Sequence, residues 1–249
     1  MSYKQFAYLY DELMKDAPYD EWVRFVKDMA AKYYNHHERL RFLDLACGTG
    51  ELSIRFAEAG FDVTGVDLSE DMLAVAQAKA AEKGVQIPFY QQNMAELEGL
   101  EHFDVIGIFC DSLNYLESEK EVVATFVHVF QSLKPDGLFL FDVHSLYKIT
   151  NIFSGQTFAQ NDEEIAYIWN SFPGEYPNSV EHELSFFVFD EQSQKYDRFD
   201  ELHFQRTFSI DQYSQWLTEA GFTILEISAD FGSGTPEEQS ERIFFVAAK

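Results

Sequence analysis

The stretch from Leu40 to Leu73, LRFLDLACGTGELSIRFAEAGFDVTGVDLSEDML, constrains the fold of this chain more than any other. A short apolar run leads into a turn with two glycines, an amphipathic helical pattern follows, and a second apolar run ends at Asp67. Short, nearly continuous apolar runs are typical of parallel strands, because helices cover both faces of such a sheet. The stretch therefore predicts a strand–helix–strand unit of a doubly wound α/β fold.

The same alternation continues along the chain. Apolar runs at 103–110 and 138–143 are separated by a helical pattern that ends at the turn Lys134 to Gly137. Near the end, FTILEISADF and RIFFVAAK are two β segments without a helix-length spacer between them, so we expect them to pair antiparallel. The core is thus predicted to be a Rossmann-like parallel sheet that closes with a hairpin.

One segment breaks this rhythm. EIAYIWNSF, VEHELSFFVFD and YDRFDELHFQRTF alternate with a period near two and are separated by turn-rich sequences, which predicts an inserted antiparallel meander of three strands. Before the first apolar run, a helical stripe begins near Asp20. The chain therefore divides into an N-terminal helical lid segment (1–39), a core (40–145), a β insertion (146–206) and a C-terminal part of the core (207–249).

Composition narrows the possible partners. The chain has 18 Lys and Arg against 43 Asp and Glu, a formal net charge of −25. Nucleic acids and anionic membranes need clustered basic residues, so both are disfavoured. The N-terminus lacks a signal-peptide pattern and no apolar run is long enough to span a bilayer, so we expect a cytoplasmic protein. Cys47 and Cys110 suggest neither a disulfide framework nor a metal site.

The glycine turn predicts a nucleoside site. Gly48 and Gly50 let the backbone approach a ligand, and Asp67 can accept both ribose hydroxyls. Asp44, just before the turn, suits a cationic ligand and would repel a pyrophosphate, while Ser53 replaces the third glycine of a dinucleotide turn. These features favour S-adenosylmethionine over a nicotinamide cofactor. A tight turn with a helix-capping Asp67 is the alternative interpretation.

Four ordered motifs carry a family resemblance: FLDLACGTG, VTGVDLSEDMLAVAQAKA, FDVIGIFCDSLNYL and LKPDGLFLFDVHS. They resemble the successive motifs of class I S-adenosylmethionine-dependent methyltransferases. The chain is similar to small bacterial members that begin FAxxYDxLM and carry a β insertion before the C-terminal strands. The resemblance implies a seven-stranded doubly wound sheet with the last strand antiparallel, and S-adenosylmethionine as the cofactor.

The resemblance also implies which residues hold the cofactor. Asp44 would bind its amino group, directly or through water, and Asp67 its ribose hydroxyls. Asn93 and the backbone of Met94 would contact the adenine ring, and Cys110 would line the methyl-transfer face. In chain order, the expected cofactor contacts are Tyr10, Tyr19, Asp44, Ala46, Cys47, Gly48, Gly50, Asp67, Leu68, Met72, Asn93, Met94 and Cys110.

Two places beside the donor site are candidates for the acceptor. Tyr10 and Tyr19 resemble lid tyrosines of related enzymes, although Tyr10 could equally pack between Phe6 and Leu13. Asp111, Asn114 and Tyr115 follow the fourth strand, at the end where ligands bind in such sheets. A cap of the following turn is an equally good interpretation of Asn114.

A third candidate lies in the insertion. On a strand, Glu201, His203 and Gln205 share a face with Phe199. The Glu–His pair resembles a segment of sugar-amine N-methyltransferases, in which His203 would act as a base oriented by Glu201. The interpretation that we favour for this face is solvation.

Together these observations predict a methyltransferase that acts on a small-molecule acceptor by in-line displacement. The cofactor brings the electrophile, and the protein supplies alignment and excludes water. An RNA or protein methyltransferase, a nicotinamide-dependent oxidoreductase and a catalytically silent S-adenosylmethionine binder are the competing hypotheses.

Overall fold

The computed structural model describes residues 9–11, 13–34 and 39–249. Phe6 and Ala7 of the N-terminal motif, and the packing predicted between Phe6 and Tyr10, lie outside the described residues. Residues 9–11 and 13 are helical and lead into the first long helix. The helices are α1 (Tyr19–Tyr33), α2 (Glu51–Glu58), α3 (Glu70–Lys83), α4 (Glu119–Ser132) and α5 (Ile210–Ala220).

The strands form two sheets. Those of the core are β1 (Arg41–Leu45), β2 (Asp62–Asp67), β3 (Phe89–Gln91), β4 (Phe103–Ile108), β5 (Leu133–His144), β10 (Thr223–Ala229) and β11 (Arg242–Ala248). Those of the insertion are β6 (Thr157–Asn161), β7 (Ile165–Pro173), β8 (Ser179–Asp190) and β9 (Lys195–Arg206). The chain also forms short 3₁₀ turns at Met94–Glu96 and Ser112–Tyr115 and a π-helical turn at Lys148–Phe153.

The core sheet confirms the predicted doubly wound architecture. Its strand order is β10-β11-β5-β4-β1-β2-β3, with β1 to β5 parallel and β11 antiparallel to both β5 and β10. The strand order reverses between β1 and β4, and ligands of such sheets bind at the carboxyl ends of the strands there. Because β11 is reversed, its first residue, Arg242, lies at this same edge opposite His144.

Local signals explain the helix boundaries. Ser69 caps α3 by accepting from the Met72 amide, and Ser209 forms a capping box with Gln212 at the start of α5. The predicted turn at Lys134 to Gly137 differs from the structure, because β5 already begins at Leu133. The strand accommodates the change through a left-handed Asp136 and a register shift against β4.

Helices cover both faces of the core sheet. On one face of the sheet, Phe42 of β1 packs with Trp22 of α1 and Phe56 of α2. Leu43, the next residue, packs on the other face with Phe126 of α4 and the α5 residues. Within the described ranges, no helix is both long enough and apolar enough to cross a membrane.

The insertion is an antiparallel sheet of four strands, not three, in the order β6-β7-β8-β9. The prediction missed β6, because four of its five residues are exposed and it lacks apolar alternation. The N-terminal segment packs against this sheet, since Leu9 contacts a cluster that contains Phe186 of β8 and Met72 of α3. The insertion and the N-terminal segment thus both lie beside the carboxyl edge of the core sheet.

Candidate active site

The glycine turn between β1 and α2 provides open space. Gly48 and Gly50 both have positive φ angles, of 54° and 76°. A Cβ atom at Gly48 would meet no atom within 4 Å, whereas one at Gly50 would lie 2.9 Å from the Ala76 Cβ atom. Gly50 therefore allows the turn to pack closely against α3, and Gly48 leaves room for a ligand beside the backbone.

Two buried carboxylates lie beside this turn. Asp44 is 2% exposed and accepts a 2.5 Å hydrogen bond from the Ser53 hydroxyl. Burial, opposed by that bond, and the nearby charge of Asp67 raise the pKa of Asp44 to about 7. Asp67 accepts from the amides of Gly48 (2.7 Å) and Ser69 (2.9 Å), and burial raises its pKa as well.

The two neighbouring carboxylates discriminate between S-adenosylmethionine and a nicotinamide cofactor. A cationic ligand would relieve the repulsion between Asp44 and Asp67, while a pyrophosphate would increase it. S-adenosylmethionine carries an ammonium and a sulfonium group and no phosphate. Asp67 also has the capping role of the alternative interpretation, because its oxygens accept from backbone amides in the turn and at the start of the next helix.

The side of the site expected to hold adenine is apolar and open. Leu68, directly after β2, is 65% exposed, and Met72 lies one helical turn further on. Asn93 caps the 3₁₀ turn that begins at Met94, because its side-chain oxygen accepts from the Ala95 amide at 3.0 Å. A carbonyl oxygen has a second lone pair, so this bond leaves Asn93 able to accept from a ligand.

The loop after β4 is held in an unusual conformation. Cys110 and Asp111 are consecutive left-handed residues, each with a φ angle of 55°. Their amides donate to the buried Asp142 carboxylate at 3.0 and 3.1 Å, and Trp22 donates to it at 2.8 Å. Arg242 pairs with Asp142 and, at 3.1 Å, with Asp111. A strained loop tip is therefore fixed by a buried ionic clamp.

Three of the predicted residues meet at this loop. Burial raises the pKa of the Tyr10 hydroxyl, and Cys110, Tyr19 and Tyr115 are among the groups that act on it electrostatically. Burial likewise raises the pKa of the Cys110 thiol, which stays protonated near neutral pH. The structure thus brings Tyr10, Tyr19 and Cys110 together. Tyr10 also packs in the cluster that includes Leu13, so the two interpretations of it are compatible.

Asn114 does not have the surroundings of a substrate contact. It is fully buried, donates to the Arg206 carbonyl at 2.8 Å and accepts from the His144 amide at 2.9 Å. These bonds connect β9 to β5, so the side chain fastens the insertion to the core. It does not cap the following turn either, because both ends of its amide bond to distant strands.

A hydrogen-bonded relay connects Asp111 to the insertion. The Gln205 side-chain amide donates to Asp111 at 2.8 Å, which directs its carbonyl oxygen toward His182, 3.3 Å away. The oxygen can only accept, so His182 carries its hydrogen on Nε2 and Nδ1 is an acceptor. Burial lowers the pKa of His182 to about 4, so the ring is neutral at pH 7. His144 Nε2 lies 3.3 Å from the same Asp111 oxygen.

Sequence reasoning did not place His182, His144 and Arg242 at this site. Their only local signals were polar residues at the ends of, or within, apolar runs such as LFLFDVH and RIFFVAA. His144 and His203 both act electrostatically on His182. Even so, no group of three or more His, Cys, Asp or Glu in the described part of the chain is arranged to hold a metal ion.

The solvated interpretation of the Glu201–His203 face is wrong. Glu201 and His203 are half-buried and Gln205 is 4% exposed, whereas Leu202 on the opposite face is 67% exposed. The His203 ring meets the Tyr115 ring edge to face, with centroids 6.0 Å apart. The face points to the site because Gln205 bonds to Asp111 there. Burial raises the pKa of Glu201 and lowers that of His203.

The doubly wound sheet with a reversed last strand, together with an open glycine turn flanked by two carboxylates, defines a class I S-adenosylmethionine-dependent methyltransferase. The comparisons agree. A family profile described as "Methyltransferase domain" matches residues 42–137. A protein of Geobacillus sp. (strain WCH70), named as a methyltransferase, is 59% identical over 249 residues and all of both chains. YqeM of Bacillus subtilis (strain 168), also named as a methyltransferase, is 50% identical over 250 residues, covering 100% of this chain and 98% of YqeM.

Solved structures give the same result. An S-adenosylmethionine-dependent methyltransferase from Clostridium acetobutylicum ATCC 824 is 30% identical, with a TM-score of 0.88 over 99% of this chain and 98% of that one. An amino pentose methyltransferase from Micromonospora echinaspora, 18% identical with a TM-score of 0.75 over 97% and 95% of the two chains, shares the fold. The chain belongs to the S-adenosylmethionine-dependent methyltransferases, and S-adenosylmethionine is its cofactor.

Proposed function

We propose that this methyltransferase acts on a small-molecule acceptor held between the insertion sheet and the carboxyl edge of the core sheet. One observation carries the proposal: the insertion is bonded onto that edge. Gln205 reaches Asp111, and Asn114 holds the Arg206 carbonyl. On the other side, Leu9 packs with Phe186. A site covered in this way beside Cys110 suits a small acceptor better than a folded macromolecule.

On the donor side, we assign the cofactor contacts to the glycine turn and the strand ends. Asp44 would pair with the amino group of the cofactor and Asp67 with its ribose hydroxyls. Leu68 would cover the adenine ring, which is supported by its large exposure at the edge of the sheet. The remaining cofactor contacts of the proposal are Tyr10, Tyr19, Ala46, Cys47, Gly48, Gly50, Met72, Asn93, Met94 and Cys110.

Unpaired polar atoms on the acceptor side indicate what kind of acceptor fits. Within the described part of the chain, His144 Nδ1, His182 Nδ1, Trp169 Nε1 and Ser171 Oγ are buried without a hydrogen-bond partner. The first three rings each pack within about 5.5 Å of the Phe153 ring, so these atoms belong to one cluster. Imidazole acceptors beside an indole donor favour a ligand with hydroxyl or amine groups, which both donate and accept.

His203 is the residue that we propose as the base for such an acceptor. It lies on the inner face of the insertion beside Tyr115, and its lowered pKa keeps the ring neutral and able to take a proton at pH 7. Glu201, two residues earlier on the same face, would orient it. The transfer itself needs only alignment of the acceptor atom with the methyl group and exclusion of water, because the cofactor supplies the electrophile.

The acceptors of similar structures suggest where to begin. The Micromonospora enzyme is an amino pentose methyltransferase, and a protein of Streptoalloteichus sp. ATCC 53650, 23% identical with a TM-score of 0.73, is a sugar N-methyltransferase. Amino sugars and amino alcohols are therefore the first compounds to test. The net charge of −25 disfavours RNA as the acceptor.

The test is release of S-adenosylhomocysteine in the presence of amino sugars, amino alcohols, phenols, bulk RNA or protein. We expect turnover with a small amine or alcohol, reduced about 100-fold in His203→Gln with unchanged cofactor affinity. Leu202→Gln, on the exposed face of the same strand, is the matched control. Transfer of labelled methyl groups into RNA or protein would refute the proposal. Cofactor binding without turnover across the panel would favour the silent-binder hypothesis.

A further inference from the structure

A side chain of the N-terminal segment connects this segment directly to the glycine turn. Asp11 accepts a 2.5 Å hydrogen bond from the Thr49 hydroxyl and forms a 2.9 Å ion pair with Lys79 of α3. Thr49 lies between Gly48 and Gly50 and is 2% exposed, and the Asp11 side chain is 32% exposed, so the bond between them is partly buried. Lys79 also pairs with Glu51 at 2.8 Å, which fixes the ammonium group between α2 and α3.

The residues around Asp11 reach the other components of the site. Tyr10, the preceding residue, is among the groups around Cys110, Tyr19 and Tyr115. Leu9 packs with Phe186 of the insertion, in a cluster that also contains Met72. One helical turn therefore spans from the glycine turn across the methyl-transfer face to the insertion, and Asp11 is its attachment on the donor side.

We propose that Asp11 is a latch that holds the N-terminal segment over the bound cofactor and thereby sets how fast the cofactor and its product leave. The inference rests on S-adenosylmethionine as the cofactor, and it is independent of the acceptor. A segment fastened to both the turn and the insertion must release one attachment before a ligand beneath it can exit. The Asp11–Thr49 bond is the charge-assisted, directional attachment, whereas the contacts of Leu9 are apolar and non-directional.

Thr49 allows the latch to be tested without removing a charge. Thr49→Val keeps the shape of the side chain and loses the hydroxyl, and Thr49→Ser keeps the hydroxyl. Asp11→Asn removes the charge and keeps the size. If the latch operates, Thr49→Val removes the bond that Asp11→Asn weakens, so adding Asp11→Asn to Thr49→Val costs only the Lys79 ion pair, and the double variant should lose less than the sum of the single variants.

The experiment measures dissociation of labelled S-adenosylhomocysteine from the full chain after a chase with excess unlabelled compound. We expect release about 10-fold to 100-fold faster in Asp11→Asn and in Thr49→Val, and close to the parental rate in Thr49→Ser. Asp20→Asn is the control, because Asp20 pairs with Arg55 at 2.7 Å on the surface and its side chain is 82% exposed.

Two outcomes of the dissociation measurement would contradict the proposed latch. Parental release rates in both Asp11→Asn and Thr49→Val would overturn the latch. Strictly additive effects of the two substitutions would also overturn it, because they would then act through separate contacts. No acceptor enters the measurement, so these outcomes are separate from those that test the acceptor proposal.

Discussion

The proposed donor and acceptor sides of the site are built in different ways. On the donor side, Asp44, the glycine turn and Asp67 come from one continuous stretch, residues 44–67. On the acceptor side, Asp111, His144, His182 and Gln205 come from four separate elements and meet only through the packing of two sheets. The donor side is thus encoded locally, whereas the acceptor side depends on how the insertion is seated. This difference predicts that the two sides can be disturbed separately.

Breaking the ionic clamp that Arg242 forms with Asp142 and Asp111 should have the largest effect on stability. Arg242→Met would leave Asp142, which is fully buried, and Asp111 without their cation. We expect the free energy of unfolding to fall by about 3–5 kcal/mol, measured by urea denaturation. Arg198→Met breaks an exposed pair with Asp200 and should leave the free energy of unfolding close to that of the parent. A loss below about 1 kcal/mol in Arg242→Met would contradict the clamp.

Asp67→Ala should have the largest effect on the donor side. It removes the proposed acceptor of two ribose hydroxyls and the partner of the Gly48 and Ser69 amides. Two hydrogen bonds to a charged group correspond to at least about 100-fold in affinity for S-adenosylhomocysteine, measured by calorimetry. Asp62→Ala, at the exposed start of the same strand, should bind like the parent. Parental affinity in Asp67→Ala would refute the assignment of this residue.

Gln205→Leu tests the separation of the two sides directly. The substitution leaves His182 Nε2 and one Asp111 oxygen without their amide partner, so we expect a loss of about 1–3 kcal/mol in stability. Affinity for S-adenosylhomocysteine should change by less than about threefold, because Gln205 touches no proposed donor residue. Gln215→Leu, on the exposed surface of α5, is the control. A large loss of cofactor affinity would mean that the two sides are coupled.

The effect of pH on cofactor affinity should be smaller than the effect of Asp67→Ala, and it should depend on Asp44. The pKa of Asp44 in the folded protein, about 7, lies above the usual value of 3.8 for an aspartate, so the folded protein holds an extra proton between these pH values. The contribution of Asp44 to stability therefore falls as pH rises through this window. Binding of an ammonium group needs the ionised form, so affinity should rise up to about tenfold from pH 6 to 7 and then level off.

Calorimetry of S-adenosylhomocysteine binding at several pH values, in buffers of different ionisation enthalpy, would check this prediction. Binding at pH 6 should release a proton, and Asp44→Asn should remove both the proton release and the pH dependence below 7. The same slope in Asp44→Asn would assign the titration to another group, and Asp44 would then not be the partner of the amino group.

The core fold and the arrangement of the proposed donor side could be predicted because their signals are local. The alternation of apolar runs and helical patterns gave the doubly wound sheet, and the glycine turn lies beside the carboxylates that it needs. Strand β6 was missed because it is short and mostly exposed, so it lacks the apolar alternation that reports a buried face. Such a strand is stabilised by its pairing with β7 more than by its own sequence.

The acceptor side could not be predicted to the same extent. A strand alternates in the same way whether its polar face meets water or a polar cleft, so the sequence could not show that Glu201 and His203 point inward. Asn114 has residue-type preferences for turns, yet its partners are strands that lie 30 and 92 positions away in sequence. Only the packing of the insertion on the core brings such partners together.

The reversed last strand has a practical consequence for handling the protein. It begins at the active edge with Arg242 and ends at the opposite edge, where the Lys249 amide bonds to the Gly137 carbonyl at 3.0 Å. The seven residue steps from Gly137 to His144 span about 23 Å at the usual rise of a strand. An affinity tag or biosensor tether placed after Lys249 should therefore leave the site accessible, because that end of the strand lies at the far edge of the sheet.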